Sequence, residues 1–235
     1  MKELIPIYVI NFRNADRRTR MRQRFNHFGI EPIFTPEVTS EDPRLAKAPA
    51  SSKRVWAVML QHMDSIQNFY DCGDRLSHCI ICEDDIHISN TFPDDMDELI
   101  PKFDEMKLDC LLLGCLLNFK LDMNTCLHRE HFAIAGNTLK FNLHRYPGDT
   151  WGCQMYMISR AYAKKMIDLY TIDYALANMD NDKYSPDWTL TKGGNRAMVY
   201  PMVAVEEGVN VSGDQSQIWF HRACFNTNFM AGKYI

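Results

Sequence analysis

Apolar runs alternate with amphipathic stretches along most of this chain. Residues 5–12, "IPIYVINF", form a short run rich in β-branched residues, the pattern of a strand buried on both faces. The stretch "NADRRTRMRQRFNHFGI" then puts Met21, Phe25 and Phe28 on one helical face, with Asp16 placed to cap its start and Gly29 to end it. "EPIFTPEV" offers a second short strand, and the Pro-, Ala- and Ser-rich "SEDPRLAKAPASS" reads as a loop. From Lys53 to Tyr70 the period is helical, with Val55, Met59, Met63, Ile66 and Tyr70 expected on the buried side. "DCGDRLS" breaks that helix and "HCIIC" is strand-like. Asp94 to Phe103 is helical again through Met96, Leu99, Ile100 and Phe103, and "DCLLLGCLL" closes a further strand. Residues 118–150 are polar without a clean period, which predicts loops and a hairpin. "CQMYMIS" is a strand whose last residue, Ser159, can cap a helix running through Met166 to Tyr170. "RAMVYPMVAV" is the last expected strand, and the final 30 residues read as an ordered polar and aromatic tail.

Strands alternating with helices predict an α/β fold with a mostly parallel sheet flanked by helices. With no internal repeat and no linker, residues 1–235 are expected to form a single domain. In such sheets ligands bind outside the carboxyl ends of the strands. Composition narrows the function. A chain of 235 residues, 46% of them hydrophobic, can bury a sizeable core, and a net charge of −4 argues against a dedicated nucleic-acid binder. No apolar run approaches about 18 residues, so no membrane span is expected. "MKELIPIYVINF" lacks the hydrophobic region and cleavage site of a signal peptide. The eight cysteines include a Cys79-x-x-Cys82 pair inside an apolar strand, without the context of a zinc or redox motif. They read as buried thiols in a reducing, cytoplasmic compartment.

The segment "CIICEDDIHIS" raises the chemical question. Glu83, Asp84 and Asp85 adjoin at the end of a buried strand, where like charges repel and desolvation is costly. Three arrangements offset that cost: exposure to water, pairing with Lys or Arg, or a divalent cation held between carboxylates.

Four segments, in order, resemble one family. "YVINFRNADRR", "IICEDDIHI", "WGCQMYMISRAYAKKMI" and "SPDW" are similar to motifs of glycosyltransferase family 25, which includes lipopolysaccharide and collagen galactosyltransferases. Gln61-His62 stands where that family often has Ser-His, Phe12 replaces a usual Leu, and the ending "VEEGVNVSGDQSQIWFHRACF" follows the family loosely. The resemblance implies a GT-A-type, Rossmann-like fold, a nucleotide-sugar donor (a UDP-sugar above all), a Mn²⁺ or Mg²⁺ cofactor and inversion at the anomeric carbon. The partners it implies are the donor and a glycan or protein-linked sugar acceptor; a homo-oligomer is left open.

Residue roles follow from that resemblance. Residues two apart on a strand face the same way, so Glu83 and Asp85 can share one ion while Asp84 faces elsewhere, among the donor-binding groups. His221, in "WFHR", is the candidate third metal ligand, against a plain surface histidine. Asn11, Arg13, Arg17 and Arg18 follow the first strand and can reach a phosphate or base, or else form a solvated helix face. Arg222 can neutralise a diphosphate, and His62 is either a donor contact or a satisfied core histidine. An inverting transfer needs a general base. Asp187 is the first candidate, with Trp188 beside it as a flat face for a sugar ring; the competing reading makes Asp187 a helix N-cap. Glu206 and Glu207 compete for the base role. Two other classes stay open: an inactive sugar- or nucleotide-binding module, and a nucleotidyltransferase, although "NFRNADRR" has no glycine for a phosphate loop.

Overall fold

In a computed structural model describing residues 5–73, 75–179, 184–209 and 214–235, an eight-stranded sheet organises the chain. In chain order its strands are β1 (Ile7–Ile10), β2 (Ile33–Phe34), β3 (His78–Glu83), β5 (Cys110–Leu116), β6 (Ile134–Asn137), β7 (Asn142–His144), β8 (Trp151–Ser159) and β9 (Arg196–Tyr200). The spatial order is β2-β1-β3-β8-β5-β9-β7-β6. β1, β2 and β3 run parallel, β8 runs antiparallel between β3 and β5, and β5 pairs in parallel with β9. The hairpin β6–β7 adds the far edge through an antiparallel pairing with β9. The sheet is thus mixed: six of its eight strands point one way and β8 and β7 the other, the mostly parallel arrangement that the alternating pattern predicts.

Full burial of the central strands explains their continuous apolar runs. Along β1, Ile7 and Val9 enter one core while Tyr8 and Ile10 enter the other. Along β3, Cys79 and Ile81 join the layer of Tyr8 and Ile10, and Ile80 and Cys82 that of Ile7 and Val9, so the C-x-x-C thiols lie on opposite faces and make no joint site. The helices α2 (Lys53–Asp71) and α4 (Arg160–Leu169) cover one face; α1 (Ala15–Asn26) and α3 (Phe92–Glu105) cover the other. All eight thiols are free, and only Cys72 is exposed.

Several local expectations are corrected. The cap of α1 is Asn14, whose side chain accepts from the Arg17 amide at 3.0 Å; Asp16 lies in the first turn instead. Gly29 does follow the helix with a φ of 71°, a conformation that favours glycine. The buried stripe of α2 runs through Trp56, Met59, Leu60, Ile66 and Phe69, whereas Val55 is 43% exposed. α2 is buried over a wide arc, so its narrow apolar stripe misjudges the rotation by one residue.

"RAMVYPMVAV" divides into two strands. Pro201 has no N–H for a ladder, and after it the chain leaves the main sheet to form β10 (Ala204–Glu206), paired antiparallel with β4 (Ile86–Ile88). The tail is more regular than expected: α7 (Gln215–Asn228) is capped by Asp214, whose side chain accepts from the Ser216 amide at 2.8 Å. Ile235 and Ile88 exchange backbone hydrogen bonds at 2.9 and 3.2 Å, fixing the last residues against β4. β10 crosses close to β5 because Gly114 has no side chain; a Cβ there would lie 2.6 Å from the Ala204 carbonyl oxygen.

Candidate active site

The carboxyl end of β3 brings the acidic residues to the sheet edge, beside the start of the antiparallel β8. Pairing of Cys82 with Met155 places Glu83 next to Cys153 and Gln154. Glu83 and Asp85 both line a cavity of about 400 Å³ there, together with Arg17, Arg54, Gln154, Asp187, Glu206 and His221. Asp84 points away: its Oδ2 accepts from Asn11 Nδ2 at 2.5 Å and its Oδ1 from Arg17 Nη1 at 3.3 Å. The same guanidinium lies 3.1 Å from Asp85 Oδ2.

Two later elements complete the cavity. β10 delivers Glu206, and the Glu207 amide donates to the Asp85 carbonyl at 2.7 Å, tying that strand to the acidic turn. Glu206 holds His221 of α7 through Nδ1, with both carboxylate oxygens at 2.8 Å. This is the carboxylate–imidazole arrangement that orients metal-ligating histidines. Asp187 lies in the short helix α6 (Pro186–Thr189) and accepts hydrogen bonds from the Cys153 thiol and the Gly152 amide. The N-cap of α6 is Ser185, so the capping reading of Asp187 is set aside.

Carboxylates outnumber cations, and the protonation equilibria reflect it. Burial pushes the Glu83 carboxyl well above the usual range, and the charges of Asp85, Asp187, Glu206 and Asp84 push it further. Burial, then Glu206, raises Asp85 to about 7 against the opposing pull of Arg17. Burial also raises Asp187, opposed by Lys192 and by its two hydrogen bonds. Lys192 is itself lowered by burial, and its Nζ donates to the Thr150 carbonyl. Although burial lowers it, His221 is net raised by its bond to Glu206 and by that charge.

These residues fit a divalent cation. Among the described residues Asp85 Oδ1 is buried without a hydrogen-bond partner, and Cys153 Sγ at 3.9 Å and His62 Nε2 at 4.0 Å lie beside Glu83 Oε1. His62 Nε2, a Glu83 oxygen and Cys153 Sγ all lie within 4.8 Å of one another. That trio mixes nitrogen, oxygen and sulfur; the oxygen donors that Mn²⁺ or Mg²⁺ would take come from Glu83 and Asp85, which line the same cavity.

The remaining expected residues do not line the cavity. His62 is fully buried, its Nδ1 2.9 Å from the Tyr156 hydroxyl, and burial lowers its pKa to about 3, so the ring is neutral. Asn11 serves Asp84 and the Asn14 carbonyl. Arg13 pairs with Glu37 at 2.6 Å, and Arg18 stacks 4.1 Å over the Phe34 ring, away from the acidic turn. Arg222 is exposed on α7, a residue past His221 and therefore turned to another face. Glu207 is bound by Arg20 and Arg24 at 3.0 and 2.9 Å. Burial pushes its pKa up, but those arginines hold it below the usual range, so it is an anion in an ion-pair cluster and is not placed as a base. Sequence reasoning missed Arg54, Cys153, Gln154 and Lys192. The "WGCQ" segment carried a signal for two of them, a glycine at the second position of β8: Gly152 has a φ of 89°, and a Cβ there would strike the Gln154 side chain.

The family model described as "Glycosyltransferase family 25 (LPS biosynthesis protein)" matches residues 68–181. The match covers 114 of the 235 residues, just under half of the chain, so it shows similarity to that family over this stretch and supports a glycosyltransferase. It spans β3 with its acidic turn through α5 (Ile172–Ala177), so Asp187, Glu206 and His221 lie beyond it. No curated protein matches the chain. Among solved structures the chain is similar to "Crystal Structure of A197 from STIV", at 10% identity over 83% of this chain and 81% of that one, with a TM-score of 0.40. That likeness is too loose to assign a function. Among the described residues no helix is long and apolar enough to cross a membrane.

Proposed function

We propose that the chain is a cation-dependent, inverting glycosyltransferase moving a hexose or pentose from a nucleotide-sugar, a UDP-sugar above all, to a hydroxyl of a glycan or protein-linked sugar. One observation carries this reading: Glu83, Asp85, Asp187, Glu206 and His221 converge with Arg17 and Arg54 on a single cavity at the carboxyl edge of the sheet. Glu83 and Asp85 would hold Mn²⁺ or Mg²⁺, with His221 adjacent. Bound there, the cation would supply positive charge against the diphosphate leaving group.

The chain's own residues do the rest. Arg17 and Arg54 present guanidinium groups to phosphate oxygens, for which their planar forks are suited. Asp187 takes the proton of the acceptor hydroxyl as that oxygen bonds to the anomeric carbon; the bond from that carbon to the β-phosphate oxygen breaks, and the nucleoside diphosphate leaves with the electron pair. The raised pKa of Asp187 brings it closer to neutral pH, where a base works best.

Incubation with UDP-glucose, UDP-galactose, UDP-xylose and GDP-sugars in the presence of Mn²⁺ tests the reading. Free nucleoside diphosphate is the expected product. Pyrophosphate in its place would mark a nucleotidyltransferase, and tight UDP binding without any product would mark a binding module.

A further inference from the structure

A second cavity, of about 450 Å³, adjoins the first and shares Val55, Ser185 and Asp187 with it. Its walls differ in kind. Trp56, Trp151, Tyr184 and Trp188 supply four aromatic rings, and among the described lining residues Asp187 is the only charged group. The first cavity, by contrast, is lined by two arginines.

The rings are arranged in two pairs. Trp151 meets Trp188 edge-on, with centroids 4.8 Å apart at 72°, and Trp56 meets Tyr184 at 5.2 Å and 65°. Trp151 remains 43% exposed at the mouth of β8, an unusual place for so large an apolar side chain. The positive φ of Gly152 turns the chain there, so that Trp151 opens outward while Cys153 points to the carboxylates. Between the two cavities, the Ser185 hydroxyl is buried with no partner among the described residues, in a residue only 7% exposed. A buried, unsatisfied hydroxyl is costly unless a ligand completes it.

We propose that this second cavity is the acceptor subsite and that it binds a neutral sugar ring. The ring stacks its C–H face on Trp151, against the edge of Trp188, and bonds one hydroxyl to Ser185 and the reacting hydroxyl to Asp187. The apolar walls and the absence of a cation among the described lining residues select against phosphorylated or acidic sugars. Binding of the ring is independent of the transferase reading; only the fate of its hydroxyl rests on it.

Saturation-transfer NMR on the full chain, with methyl glycosides of glucose, galactose and xylose as probes and glucose 6-phosphate as competitor, tests the subsite. The expected result is ring-proton signal from at least one methyl glycoside and weaker contact by the phosphate. Trp151→Ala should weaken that binding about fivefold to tenfold, as expected for a lost stacking face, while Trp151→Phe restores it. Ser185→Ala should weaken it as well, and Trp151→Ala should leave UDP affinity measured by calorimetry unchanged. No signal from any glycoside, a signal indifferent to Trp151→Ala, or stronger binding of the phosphate would overturn the proposal. Trp151-dependent sugar binding in a protein that turns over no nucleotide-sugar would leave the subsite standing and bring down the transferase reading alone.

Discussion

Asp187 occupies the wall shared by two cavities, which is where a base must stand if donor and acceptor approach from opposite sides. Replacing it with Asn preserves size and hydrogen-bonding reach but removes the proton acceptor. Transfer rate is expected to fall about 10²- to 10⁴-fold, with UDP affinity held within about threefold. Near-normal turnover beside unchanged affinity would move the base to Glu206. Besides the phosphate contact proposed for it, Arg17 holds the acidic turn, since its guanidinium faces both Asp84 and Asp85 and its side chain is only 20% exposed. Arg17→Met would leave both carboxylates short of a cation and should destabilise the fold by about 3 kcal/mol, read as a drop in melting temperature. An unchanged melting temperature would show that the pair contributes nothing in solution. Strand alternation set the expectation that Asp84 faces away from Glu83 and Asp85, but Asp84 and Asp85 lie in the bend between β3 and β4, where Asn11 and Arg17 hold Asp84 instead. Cys153 and Lys192 were not legible in the same way: a buried thiol and a lysine acquire a role only when β8 and the segment after α6 fold beside β3.

At the level of single elements, the start of α1 gives a clean test. Asn14 makes the cap hydrogen bond and Asp16 does not. Asn14→Ala should cost about 1 kcal/mol, whereas Asp16→Ala should change stability by only a few tenths through the helix dipole. Urea denaturation of the two variants measures both, and the reverse order would return the cap to Asp16. Both residue types are good caps, so composition alone could not choose between them. α7 was hidden for a related reason. Its buried positions, Cys224 and Asn228, are few and Trp219 is exposed, so no apolar stripe announces the helix. What holds α7 is contact with β10 and the bond from His221 to Glu206, neither of which local sequence can display. β1, β3 and β5 were readable because a strand buried on both faces needs an unbroken apolar run.

Across the whole molecule, one region concentrates negative charge, and stability should record it. A carboxyl whose folded pKa exceeds its unfolded value of about 3.9 holds its proton more tightly when folded. Its contribution is therefore full below pH about 4 and is lost as pH rises toward the folded pKa, which for Asp85 is about 7. Buried His62, with its pKa lowered to about 3, contributes in the opposite sense as pH rises from about 3 to its unfolded value of about 6.5. The informative quantity is thus the difference between wild type and Asp85→Asn without added cation. The variant should gain melting temperature relative to wild type as pH rises from about 4 to about 7, and a difference that stays flat would show that Asp85 titrates normally. The sheet, its layers and the acidic edge were foreseeable from hydrophobic period and strand polarity; the crossing of β10 and the second cavity depend on long-range packing and were not. The measurement closest to the central claim is calorimetric titration of UDP into wild type and Asp85→Asn, each with and without Mn²⁺. UDP should bind wild type at least about tenfold more tightly with the cation than without it, and Asp85→Asn should lose that gain. Equal UDP affinity in all four titrations would contradict a cation-dependent nucleotide site at Glu83 and Asp85.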